Sequence, residues 1–155
     1  HEPHKGYVVA ELSVDDLVEV YRLREILEAE AIRVAVPRLT AADLDALAAA
    51  AADVDAAGRA GDVTAMTDAN RRFHFLLFDA AGMPRLSRTL RQLWDATDVY
   101  RSVYFSGVTN RQRVKHEHHA LLVALRSGDA AAAVRAQHEH RDNSVTAVTA
   151  ALKRA

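Results

Sequence analysis

Cysteine is absent from the 155 residues. That excludes disulfides and thiolate metal sites, and it fits a cytoplasmic setting. No stretch approaches the roughly 18 uninterrupted apolar residues of a spanning helix, so no membrane role is expected. The alanine-rich run at residues 46–52 is too short and too weakly hydrophobic to count, and the opening residues do not read as a secretory signal. A basic excess is missing as well. Twenty basic residues stand against 21 acidic ones, well mixed, for a net charge of −1. Nucleic-acid binding draws most of its affinity from neutralising phosphates, so this chain is not expected to grip DNA or RNA by itself. Glycine (6) and proline (3) are scarce, which leaves few places to break a helix.

What is present is half apolar and rich in alanine, leucine, arginine and glutamate, the composition of a single globular, all-α domain. The punctuation divides it into about six helices. The first runs from a Ser13 cap to about Val36, stopped by Pro37. Thr40, with Asp43 three residues on, opens the second in a capping-box arrangement, and Gly58 is expected to close it. Asp62 caps the third and Gly82 closes it. Pro84 falls in the first turn of the fourth, which continues to about Phe105. The fifth starts at Thr109 or Asn110 and ends at Ser127–Gly128, and Asp129 caps the last. Short links make neighbours roughly antiparallel, giving a bundle. Residues 5–10 read differently, as a short extended segment. The expectation is that residues 1–11 are a linker or the tail of a preceding domain, and that residues 12–155 are the helical domain.

Eight histidines are the main chemical clue. On the third helix Met66, Asn70, Phe73, His74, Leu77 and Ala81 recur at three- and four-residue steps, which turns Asn70 and His74 inward and Arg71 and Arg72 outward. Taken alone, His74 reads as a core histidine satisfied by one hydrogen bond. On the fifth helix His118 shares the face of Leu121, Leu122 and Leu125. His116 lies on the flank and His119 between. On the last helix His140 aligns with Ala133, Ala136, Ser144 and Ala147, while His138 aligns with Val134, Arg141 and Val145. Periodicity leaves that choice open. Inward imidazoles from three helices, with an amide one turn from the first, suit the first shell of a divalent ion such as zinc or nickel.

An open metal position also serves a hydrolase, so a small metal-dependent enzyme is one rival reading. Against it, there is no His-Glu-x-x-His motif, no glycine-rich phosphate loop and no nucleophile elbow. Glu117 lies about 100° round the helix from His118 and is expected to point elsewhere, as is Glu139 relative to His140. Arg24, among Leu17, Val20, Tyr21, Leu27 and Ala31, reads either as an internal partner of Glu28 or as a clamp for a ligand carboxylate. Arg101 shares a face with Trp94, Thr97 and Tyr104, and reads as a surface charge or as a second clamp. Asn143 is a solvated amide or a further ligand contact. The blandest rival is a metal-free helical dimerisation module.

Asn70-Arg-Arg-Phe-His74, Glu117-His118-His-Ala-Leu-Leu, and Gly128-Asp129 followed by His140 together resemble the C-terminal effector domain of FadR-type GntR transcription regulators. Tyr21-Arg-Leu-Arg24 through Glu28 resembles that domain's opening helix, and Gly82-Met-Pro84 its break before the fourth. Residues 5–10 look like the end of a winged-helix wing. The resemblance implies an antiparallel bundle of six or seven helices around a central cavity. It implies a divalent metal held by Asn70, His74, His118 and His140, which would decide between His138 and His140. Asn70 departs from the family's more usual aspartate, and a neutral amide is a weaker ligand. The resemblance further implies a small organic acid as effector, a homodimer, and DNA contact only through an N-terminal winged-helix domain.

Overall fold

The computed structural model describes residues 13–154; the extended segment expected at residues 5–10 lies outside them. Six α-helices follow one another: α1 Val14–Ala35, α2 Ala41–Ala60, α3 Val63–Asp79, α4 Pro84–Phe105, α5 Val108–Arg126 and α6 Ala130–Arg154. A single 3-10 turn, Val36–Arg38, follows α1 where Pro37 ends it. There is no strand among the described residues, and no described helix is long and apolar enough to cross a membrane.

The helix starts follow local chemistry. The hydroxyl of Ser13 and the carboxylates of Asp62 and Asp129 each accept from a backbone N–H in the first turn. Thr40 and Asp43 complete the reciprocal capping box. One stop differs from expectation. Gly58 lies inside α2, and the helix ends at Gly61, whose φ of 68° is the left-handed conformation a C-terminal glycine supplies. The fifth helix also begins slightly earlier than expected, at Val108 after Gly107.

Two apolar clusters occupy opposite ends of the bundle. One gathers Ala31, Ile32, Leu47, Phe73, Phe78, Leu90, Trp94, Leu121 and Ala133. The other gathers Leu17, Tyr21, Val54, Met66, Tyr104, Phe105, Val114 and Val148. Along the chain each helix in turn runs from one cluster to the other, and the direction alternates from α1 to α6. The bundle is therefore antiparallel throughout. α1 packs on α3, α4 and α6, while α2 is held by α3 and α5. Between the clusters, every helix but α2 turns buried polar side chains inward: Arg24 and Glu28, Asn70 and His74, Thr97 and Arg101, His118, then Gln137, His140, Arg141 and Ser144. A polar band at mid-height of an apolar bundle costs stability unless its groups are paired, so it marks the place to look for function.

Candidate metal centre

Three imidazoles meet in this band. The ring centroids of His74, His118 and His140 are 5.1, 5.0 and 5.1 Å apart pairwise, a nearly equilateral triangle. One ligand nitrogen from each lies within 4.8 Å of the other two. His74 comes from α3, His118 from α5 and His140 from α6, all buried. His138, the competitor of His140, is half-exposed and sits between Glu25 and Asp142 at 3.4 and 3.0 Å. His116 and His119 are exposed.

Neither ring nitrogen of His74 or of His118 has a hydrogen-bond partner in the protein, nor does either end of the Asn70 amide one turn before His74. Leaving such atoms unpartnered in the interior is costly, and a shared cation would take three of the six, one nitrogen from each ring and the amide oxygen. Burial pushes the His74 and His118 imidazoles well below their ordinary pKa. The neighbouring His140 and the Arg101 charge add to this, and His118 and Arg24 act on His74 as well. Neutral imidazole is the form that ligates metal. The rings are held by packing: Phe73 lies 4.4 Å from His118 and Trp94 lies 5.3 Å from His74, centroid to centroid.

Glu117 corrects the helical-wheel expectation. Its side chain is only 8 % exposed, and one carboxylate oxygen is in close contact with Nδ1 of His140 while the other accepts from Nδ2 of Asn143 at 2.7 Å. The 100° offset from His118 is real, but α6 packs against that flank of α5 and buries it too. A carboxylate at Nδ1 fixes ring orientation and presents Nε2 for ligation. Asn143 is half-buried and donates from its amide nitrogen to Glu117, so it is not a solvated amide.

A second hub lies beside the triangle. Glu28, fully buried, accepts from Nε of Arg24 and Nε1 of Trp94 at 2.9 Å each, from Gln137 at 3.0 Å and from Arg141 at 2.8 Å. Burial alone would raise this carboxyl. The charges of Arg24 and Arg141, with the bonds from Gln137 and Arg24, outweigh it and hold the pKa at about 2. Arg24 is thus an internal partner, and it also reaches Oγ1 of Thr97 at 3.3 Å. Spacing had linked Glu28 to Arg24, but Trp94, Gln137 and Arg141 come from distant sequence and carried no signal. Arg101 is not a surface charge. It is 4 % exposed and lies over Trp94, with Cζ 4.0 Å from the ring centroid. A groove of about 500 Å³ between α1 and α6 is lined by Tyr21 and Arg141 among others, and so borders the band from outside.

The chain is similar to known proteins in sequence and in fold. The model of the FCD domain matches residues 19–143. The HTH-type transcriptional regulator McbR of Escherichia coli (strain K12) is 28 % identical over 129 residues, which is 82 % of this chain and 58 % of that protein. The chain therefore spans less than two thirds of the relative's length. The solved structure of E. coli McbR superposes with a TM-score of 0.86 at 24 % identity, covering 96 % of this chain and 75 % of that one. A GntR-family regulator from Pseudomonas syringae pv. tomato DC3000 superposes at 0.72 with 28 % identity, over 98 % and 63 % of the two chains. Lar of Listeria monocytogenes, described as controlling expression of the agr system, superposes at 0.77 with 19 % identity, over 88 % and 65 %.

Proposed function

This chain belongs to the FCD family, the C-terminal domain of GntR/FadR-type transcription regulators, and from that premise we propose that it senses a small organic acid at a divalent metal site. His74, His118 and His140 hold the ion, and Asn70 offers an amide oxygen. The observation that carries this reading is the triangle of buried imidazoles whose ligand atoms lie within 4.8 Å of one another. Zinc or nickel suits such a donor set, and when bound supplies positive charge on which a carboxylate oxygen can sit.

The chain's own residues do the rest. Glu117 orients His140 and is itself steadied by Asn143. Glu28 cancels charge on Arg24 and Arg141 and is too strongly held to act as a base. With both buried carboxylates engaged in this way, the site favours holding a ligand over transforming it, and sensing over catalysis. Residues 1–11 are proposed as the end of a DNA-binding winged-helix domain, and the 12–155 unit as the sensing and dimerising module. An effector shifts that regulator only by binding one arrangement of its domains more tightly than another.

Metal analysis of the purified chain after incubation with zinc and desalting tests the site. One equivalent per chain is expected, lost in His74→Ala and His118→Ala and kept in His116→Ala. Zinc retained in full by His74→Ala would place the ion elsewhere. No zinc in the unsubstituted chain would favour the metal-free dimerisation module.

A further inference from the structure

Arg101 and Asp98 carry opposite charges one turn apart on α4, yet they do not meet. Arg101 is buried and makes no ion pair or hydrogen bond among the described residues, and its Nε has no acceptor. Asp98 gives one oxygen to Nη1 of Arg71 at 2.6 Å, while its other oxygen, Oδ1, is buried without a donor. Residues three apart on a helix have Cβ atoms about 5–6 Å from one another, well within the reach of an arginine side chain. An unmet donor and an unmet acceptor are therefore neighbours, and each is costly to leave alone.

Arg101 is seated instead on the indole of Trp94, with its guanidinium carbon 4.0 Å from the ring centroid. That seat is contested. Arg24 lies against the same indole at 4.2 Å. Burial, then the Arg24 charge, lowers Arg101 to about 10; the charges of Tyr21, Asp98 and Glu28 act the other way, and the guanidinium stays protonated at neutral pH. Glu28 is already committed to Arg24 and Arg141, so Asp98 is the countercharge with an oxygen to spare. It also belongs to a group short of positive charge: one guanidinium, Arg71, serves both Asp98 and Asp95, at 2.6 and 2.8 Å. On the inner side the Arg101 charge bears on His74 and His118. Coulombic influence is mutual, so positive charge arriving at the imidazole triangle presses on Arg101 in turn.

We propose that Arg101 has two seats, the indole of Trp94 and Oδ1 of Asp98, and that an ion at the histidine triangle drives it from the first to the second. The move withdraws one positive charge from the centre as the charge of the ion arrives. It delivers that charge to Asp95, Asp98 and Arg71 at the α3–α4 surface, so the state of the buried centre reaches ion pairs outside it. The trigger rests on the metal-centred reading above; the second seat does not.

The Nε–Hε signal of Arg101 in a proton–nitrogen NMR spectrum, identified as the one absent from Arg101→Lys, distinguishes the seats. The ring current of an indole shifts a proton over its face upfield, and a carboxylate acceptor shifts it downfield. Without metal the signal is expected upfield. Stoichiometric zinc, its loading measured by competition with a chromophoric chelator, is expected to move it downfield. Asp98→Ala should bind zinc and hold the signal upfield. Arg71→Gln removes the cation that Asp98 now shares, and is expected to move the signal downfield before zinc is added. Circular dichroism verifies that each variant is folded. A signal that stays upfield both in Arg71→Gln and with zinc bound overturns the two seats. Movement on zinc loading that survives Asp98→Ala overturns Asp98 as the acceptor. Movement in Arg71→Gln but not on zinc loading keeps the second seat and overturns the ion as its trigger. Failure to bind zinc overturns the metal-centred reading and the trigger together, and Arg71→Gln then decides the second seat alone.

Discussion

Glu28 shows how one residue can hold a polar interior together. It offers two oxygens to donors from α1, α4 and α6, so Glu28→Gln leaves Arg24 and Arg141 buried with their countercharge gone. A loss of roughly 3–5 kcal/mol is expected in urea unfolding. The pH dependence has a definite sign. The carboxyl is held at about 2, against an ordinary 4.5, so its contribution is fully present above pH 4.5 and is lost as the pH falls toward 2. That contribution is on the order of 3 kcal/mol. Unfolding midpoints taken between pH 6 and pH 2.5 should therefore fall more steeply in the unsubstituted chain than in Glu28→Gln (roughly the window set by the two pKa values). Tyr104 offers a second check at this scale. Burial, then the Glu117 charge, raises its hydroxyl to about 12, so the ultraviolet titration signal lost in Tyr104→Phe should be one that ionises above the usual tyrosine range.

Elements were legible wherever their boundaries rest on local chemistry. Caps at Ser13, Thr40, Asp62 and Asp129 act within one turn, and each helix begins beside its cap. Gly58, expected as the stop of α2, lies inside it, and the left-handed backbone that ends the helix falls at Gly61. The distinction makes opposite predictions. Gly58 is helical, and an added Cβ would meet Met66 Sδ at an ordinary 3.5 Å, so Gly58→Ala should raise stability by roughly 0.5–1 kcal/mol. Gly82 has a φ of 66°, and a Cβ there would stand 2.6 Å from Nη1 of Arg38, the group that donates to the Ala81 carbonyl at 2.7 Å. Gly82→Ala should cost roughly 1–3 kcal/mol. Thermal melts of the two variants should move in opposite directions.

For the molecule as a whole, the band between two apolar clusters means that the proposed ion would tie three helices, α3, α5 and α6, at mid-height. If zinc binds only the folded form, zinc at about 100 times its dissociation constant should add about 2.7 kcal/mol to the unfolding free energy. Trp94, the single tryptophan, packs on His74 and Arg101, so its fluorescence should report both loading and unfolding. The outer surface carries Leu23, Ile26, Val99 and Val103, 43–55 % exposed on the neighbouring helices α1 and α4. We propose them as the face that a second copy covers. Sedimentation of Val99→Asp/Val103→Asp is expected to shift a dimer toward monomer, and an unchanged dimer would place the interface elsewhere.

Periodicity by itself determined which way His74 and His118 face, because a residue's angle about its own helix depends only on its position in that helix. Caps determined the starts of α1, α2, α3 and α6 for the same reason. His140 over His138 needed the family spacing, since both lie near the edge of the inward arc of α6. Glu117 and the partners of Glu28 were decided only by tertiary structure. Whether a flank is buried depends on which neighbour packs there, and groups 66, 109 and 113 residues apart share a carboxylate only once the bundle has closed.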